Sequence, residues 1–581
     1  MPVAAAEQAH EDLPLRELRG MRPDAGMPRI PEAPPEEVME IPPMVERPFD
    51  PEEGERVEVK RFELEGVRDL PAHNITREEI EALVEERREE QPDHAFTIGQ
   101  LEQLAEAVTS HYREQGLILA RMVVPVQTVT DGVVTLELIE GRLGQILPEG
   151  NELYSNSTLE RPFRHIQGEP VGQRQTEAAL LTLTDYPGVV AFGVFQPGRR
   201  VGETDMVLNV RNEERFDGEV RVDNHGTDTT GEYRGRALVN WNNPLDNADR
   251  LQVMAQQTLE PANSRFIMVD YEAMFGRGYT AAAYGHVSEF EVEDDELGDV
   301  EVDGQSHEYG LRGEVQLLRS RLRNLSLRGQ LAMKESLSRR DGDEVSRDEL
   351  TVATLSADFD SVDTRFDGLN YFGLEYSQGF NDLLGAMGDD GGERDIPPSR
   401  TGIADEGGLE YAEGAFSRWM VYYTRVQSLT AGSTLMVRTE YQQSDDLLVP
   451  MEQYSVGGAD HVRSHPVSYS TLDTAGMVSL ELILTAPGIA DRPAFGGHDW
   501  GDLLQLRLFY DHAVGEINNP LPGDPEGQET FSGAGAGLNF DVPGVLNARL
   551  QLATPIEDGD AGLNAEPPDS LQVWADVTYH F

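Results

Sequence analysis

The sequence predicts two small α+β modules followed by a membrane-spanning all-β barrel of about 16 antiparallel strands, with a short helix and a proline-rich tether in front. Two observations predict it. From Glu213 to Phe581 apolar and polar residues alternate in run after run, and no helical period lasts. Between Val57 and Asn212, strand-like and helix-like patterns interleave over short segments. A third observation excludes the other membrane architecture: the longest apolar run, Gly188 to Phe195, is far short of the roughly 18 to 20 residues a membrane helix needs.

Composition narrows the function classes. The chain has 581 residues and a formal net charge of −58, a balance that argues against nucleic acid, whose phosphates need clustered Lys and Arg. The acid surplus reads as a solvated surface suited to high salt, with a field that repels anions from a pore as the alternative; neither reading bears on fold. There is no cysteine, so disulfides, thiolate zinc sites and cysteine nucleophiles are all excluded.

The elements follow in chain order. Met1 to Ala9 has neither the basic nor the apolar region of a secretion signal, and Ala4 to Ala6 resemble the flank of a cleavage site, so a trimmed form is expected. Residues 7–20 read as a short polar helix ending at Gly20, marginal on its own at this length. Residues 21–55 hold nine prolines and many acids, which cannot build a core and read as an extended linker. In polyproline geometry it would span on the order of 100 Å.

Residues 56–143 make the first module. Val57, Val59, Phe62 and Leu64 alternate with charge as in a strand; Ile80, Leu83 and Val84 follow the capping candidate Thr76 at helical spacing. Phe96, Ile98, Leu101, Leu104, Ala105, Val108 and Tyr112 form a second stripe that Gly116 ends, and two strands follow around Asp131-Gly132. Residues 144–212 make a shorter unit, with a helix at Gln175 to Asp185 and strands at Val189 to Gln196 and Asp205 to Val210.

Residues 213–581 carry the barrel pattern. Leu311, Gly313, Val315 and Leu317 alternate with Arg312, Glu314 and Gln316, and comparable runs recur through Leu504, Leu506, Leu508 and Tyr510 to the last residues. Alternation over this length suits an apolar exterior and a wet lumen, and about 23 residues per strand and loop gives roughly 16 strands. On that parity Gln505, Arg507, Phe509 and Asp511 face the lumen. Tyr579 and Phe581 end the chain at the apolar parity, as an interfacial aromatic girdle would.

Several stretches carry a resemblance. VKRFELEG, VTDGVVTLELIEGRLGQILPEGN, the hairpin from Asp223 to Leu251 with its Asn243-Pro244-Leu245 turn, and YSVGGADHVRSHP from Tyr454 to Pro466 are similar to the outer-membrane transporters of two-partner (type Vb) secretion, the haemolysin-activator-type family. The resemblance implies two periplasmic polypeptide-transport-associated (POTRA) domains that recognise a large secreted exoprotein and a barrel in the outer membrane of a Gram-negative bacterium that passes it. It also implies a loop, around residues 454–475, that folds back into the barrel, and an N-terminal helix that plugs the pore, which fits residues 7–20 of the segment 1–20 on its proline-rich tether. Gly457, Gly458, Val462 and Arg463 match that loop's motif, while Ser464 and His465 stand where the family has a glycine and an aromatic residue. Asp511 in LFYDHA matches the wall residue that pairs with the loop arginine, so an Arg463–Asp511 bridge is expected.

The remaining partners implied are outer-membrane lipids and the barrel assembly machinery, with no nucleic acid. Two rival functions share these features: a general barrel-assembly insertase of the same superfamily, and a passive porin-like channel. No enzyme, cofactor or metal is expected. Dinucleotide, P-loop and zinc-protease motifs are absent, Asp341-Gly342-Asp343 and Asp558-Gly559-Asp560 read as acidic turns, and His461 and His465 read as a surface-loop pair.

Overall fold

The structure is a computed structural model. It describes residues 39–40, 55–292, 301–404, 407–522, 524–525, 527–559 and 568–581. The expected plug helix and most of the tether lie outside the described residues. The chain divides into two compact units, one ending at Glu214 and one spanning Arg215 to Phe581.

In the first unit, residues 57–139 form a three-stranded sheet in which Arg61–Glu65 runs parallel to Val133–Ile139 and Arg121–Val123 pairs antiparallel on its other side. Two helices, Arg77–Glu90 and Ile98–Glu114, cover it. Each begins at a threonine that satisfies a free backbone donor: Thr76 accepts from Glu79 N, and Thr97 forms a full capping box with Gln100. The buried stripe Leu104, Val108 and Tyr112 packs with Ile75, Ile80, Leu117 and Leu136. Burial in this core pushes the Tyr112 phenol up to about 12. The single opening strand expected from Val57 to Gly66 is broken. Val57–Glu58 pairs with Ala95–Phe96, and the ladder to Val133–Ile139 starts only at Arg61.

Residues 142–213 form a second α+β unit. Its sheet runs in the order Met39–Glu40, Val189–Pro197, Glu203–Glu213, Arg142–Glu149. The helix Gln173–Thr184 buries Ala179, Leu180, Leu181 and Leu183 against it. Two tether residues thus serve as an edge strand, with Met39 opposite Gly193 and Glu40 opposite Val194 in parallel register.

The second unit is a closed barrel of sixteen strands from Phe216–Asp223 to Gln572–His580, each pair antiparallel. The first and last strands close it through Glu219↔His580 to Asp223↔Asp576. Side chains alternate across the wall: Val577 and Tyr579 of the last strand are 48% and 50% exposed, while Asp576 is 6% and Thr578 8%. Strands of 17, 18 and 21 residues at positions 302–363 exceed the 9 to 11 or so needed to cross a bilayer, so they project beyond it. Asp341 and Gly342, both at positive φ, close the hairpin between the last two, as a type I′ turn requires. Among the described residues no helix is long and apolar enough to cross a membrane.

Lipid-side parity has a testable cost. Leu508 lies outside and its neighbour Arg507 inside, so Leu508→Arg should destabilise the barrel by about 2–4 kcal/mol if placed near the bilayer centre. The measurement is the fraction of purified protein that keeps a compact, fast-migrating gel band before heating; an unchanged fraction would contradict the parity.

Candidate functional site

The site begins with a hairpin that forms a two-stranded sheet of its own, separate from the barrel sheet. Tyr454–Val456 pairs with Ser470–Leu472, and the residues between them form a compact tip. Gly457 and Gly458 both sit near φ +100°, a conformation L side chains rarely adopt. At Gly457 a Cβ would also stand 2.0 Å from the Pro466 carbonyl oxygen. Gly458 N donates to His465 O at 2.9 Å and His465 N to Val462 O at 3.1 Å, so the tip is fastened by its own backbone. Val462 is fully buried among Tyr454, Tyr469, Phe531 and Ala513.

Arg463 projects from this tip to the wall strands Thr474–Thr485 and Leu504–Glu516. Its Nε and Nη2 each lie 2.8 Å from an Asp511 oxygen, a bidentate pair, and its backbone N–H donates to the same carboxylate at 3.2 Å. Nη1 reaches Glu481 Oε2 at 2.7 Å. The guanidinium lies 3.4 Å above the centre of the Phe509 ring. Ser479 donates to Asp511 Oδ1 at 2.7 Å, and Arg507 meets the other Glu481 oxygen at 2.8 Å. The four ionised groups therefore balance, two of each sign. Trp574 on the last strand donates its indole N–H to the Arg463 carbonyl at 2.7 Å. Arg463 and Asp511 are both buried.

The two positions that depart from the loop motif fit the wall. Ser464 Oγ bonds His465 Nδ1 at 2.9 Å and rests against Gly533, where a Cβ would stand 2.0 Å from that oxygen. The bulk added at the tip thus sits where the wall has no side chain. The His465 ring is buried and edges Phe531 at 5.7 Å between centres.

The surface-loop reading of His461 and His465 is overturned, because the hairpin carries both inward. His461 stacks on Tyr454 and bonds the Ser455 carbonyl at 2.7 Å. No metal-binding group of His and acidic residues occurs among the described residues. At the chain end, Tyr579 and Phe581 present stacked, exposed rings, and Phe581 exchanges backbone bonds of 3.0 and 3.1 Å with Gly218 on the first strand. Sequence reading missed Ser479, Glu481, Phe509 and Trp574 as contacts of the tip. The inward parity of the first three was visible, but their cross-strand register was not.

A closed barrel of sixteen strands with polar side chains on its inner face, a loop buried inside it and α+β modules before it in the chain has the architecture of an outer-membrane transporter of the POTRA-bearing class. The family description "Haemolysin secretion/activation protein ShlB/FhaC/HecB" matches residues 202–511, and "POTRA domain, ShlB-type" matches residues 57–141. The chain belongs to this family, whose members are two-partner secretion transporters of the outer membrane. It is 23% identical over 514 residues to the heme/hemopexin transporter protein HuxB of Haemophilus influenzae strain 86-028NP, covering 84% of this chain and 81% of that protein. It is 24% identical to the outer membrane transporter CdiB of Escherichia coli strain 536, covering 80% and 75%. The solved structure of CdiB from Escherichia coli superposes with a TM-score of 0.70 at 20% identity, over 100% of this chain and 98% of that one.

The fit between tip and wall can be tested by a paired substitution. Gly533→Ala should lower the temperature at which the compact gel band converts, through about 1–3 kcal/mol of overpacking. Ser464→Gly in the same chain should restore most of it. No recovery in the double variant would show that the Ser464 contact is not the source.

Proposed function

We propose that the chain exports one large partner exoprotein. In this reading the POTRA domain at 57–141 and the second α+β unit, read as another POTRA domain, receive the cargo in the periplasm, and the barrel passes it unfolded. The observation that supports the reading best is the loop tip held inside the lumen by Arg463 and Asp511, which narrows the path and has to be accommodated by anything that crosses. A strand edge captures extended chain through main-chain bonds, which suits recognition of an unfolded client.

The sequence contains no nucleotide-binding P-loop, so the driving force is assigned to folding of the cargo outside the cell. No catalytic step and no cofactor is assigned to the chain. Residues 1–20 are assigned as a pore plug on the tether 21–55, lipid as the partner of the barrel's outer face, and the barrel assembly machinery as the agent of its insertion.

Deleting residues 56–212 should abolish release of the single partner exoprotein and leave other outer-membrane proteins at normal levels. A general loss of those proteins would point to an assembly insertase instead. Arg463→Ala and Asp511→Ala should each cut release at least about tenfold while the compact gel band persists, since a half-broken buried pair costs about 3–5 kcal/mol. Normal release by both would remove the pair from the mechanism.

A further inference from the structure

The loop tip meets the barrel wall at a second place. Asp460, three residues before Arg463, reaches a different pair of strands. Its Oδ1 lies 2.8 Å from Arg549 Nη1 on Leu546–Asp558, and Arg549 Nε lies 2.7 Å from Asp576 Oδ2 on the last strand. The series continues across the closing seam. Arg221 of the first strand stands 3.7 Å from Asp576 and 3.0 Å from Asp223, which in turn meets Arg234 at 2.8 Å. From Asp460 to Arg234 the charges alternate in sign without a break. The Asp460 carbonyl also accepts a bond from Arg438.

The seam is where such support matters. Its ladder holds five register pairs, against eight for each of the flanking pairs of strands, the shortest run of pairing in the barrel among the described residues. The ion pairs of Arg463 hold the tip on Thr474–Thr485 and Leu504–Glu516. Asp460 adds an ionic fastening on Leu546–Asp558, two places further round the wall, and Arg549 carries it on to the last strand.

We propose that Asp460, Arg549 and Asp576 form a second latch, independent of the Arg463–Asp511 pair, that positions the loop tip and ties it to the seam between the first and last strands. The two ends of the latch are not equivalent. Removing Asp460 leaves Arg549 paired with Asp576. Removing Arg549 takes the cation from Asp460 and leaves Asp576 with only the longer pair to Arg221 at 3.7 Å, so loss of the arginine costs more.

The test needs no cargo, so its failure is distinct from failure of the export reading. The chain has no cysteine, and Ser464→Cys supplies a single buried thiol at the tip. Purified full-length protein in detergent is labelled with a bulky maleimide. Asp460→Asn is expected to raise the labelling rate about fivefold or more, the factor equivalent to roughly 1 kcal/mol. Asp460→Glu, which keeps the charge, should return it to the parent rate.

Arg549→Gln should lower the conversion temperature of the compact band further than Asp460→Asn does. Labelling of Asp460→Asn at the parent rate, under conditions where Arg463→Ala labels fast, would overturn the latch. So would an elevated rate in Asp460→Glu, or an equal conversion temperature for Asp460→Asn and Arg549→Gln. If Asp460→Asn gives no compact band, Arg549→Lys decides instead. A lysine keeps the charge but cannot hold both carboxylates, so faster labelling supports the latch and the parent rate rejects it.

Discussion

A guanidinium taken out of bulk water must have its donors met, and Arg463 imposes that condition on the strands around it. Asp511 meets it from two sides only because Ser479 holds the carboxylate from the neighbouring strand, directly opposite in register. Glu481 serves Arg463 with one oxygen and Arg507 with the other. A slip of one residue in either strand would turn Asp511 or Glu481 toward lipid, so the ion cluster and the apolar exterior specify the same register. Desolvation makes such a cluster a weak source of net stability and a strong source of uniqueness, because any arrangement that breaks it strands a charge.

The cluster in turn depends on what the wall leaves empty. Gly533 stands opposite Asp511 and leaves room for Ser464, and Gly535 leaves room for Phe509, whose ring a Cβ there would meet at 2.4 Å. Phe509 can therefore lie flat beneath the guanidinium. Two of the three glycines in the stretch SGAGAGL, Gly533 and Gly535, are explained by these approaches. Its strand supplies a recess in the lumen wall, and the tip occupies it.

Much of this was legible in the sequence, for a physical reason. Alternation is local, so Leu504 to Tyr510 reveal a strand and its two faces without reference to any neighbour. Arg463 and Asp511 could be named because a motif carries both. Glu481, Trp574 and the contact from Asp460 to Arg549 could not. Each joins residues 18 to 111 positions apart in sequence, and each depends on the register of strands whose loops set no fixed length. The two histidines were misread for the same reason: a loop with polar residues looks solvated until the hairpin that carries it is known to point inward. In the first module the break at Val59 and Lys60 was hidden because both halves of the segment pair, but with different strands.

The acid surplus and the charge-balanced clusters at the loop tip belong to separate electrostatic regimes. Inside the barrel the described groups around the tip cancel: two against two at Arg463, and alternating signs from Asp460 to Arg234. The formal charge of −58 therefore resides on groups outside these clusters, many of them exposed on helices such as Arg77–Glu90, where Glu78, Glu81, Glu86 and Glu89 face solvent. Salt screens exposed like charges over a Debye length of about 8–10 Å and barely reaches buried pairs. Ionic strength can thus relieve repulsion across the surface while leaving the grip on the loop intact. The chain can carry an extreme surface charge because the fastening of its lumen does not draw on it.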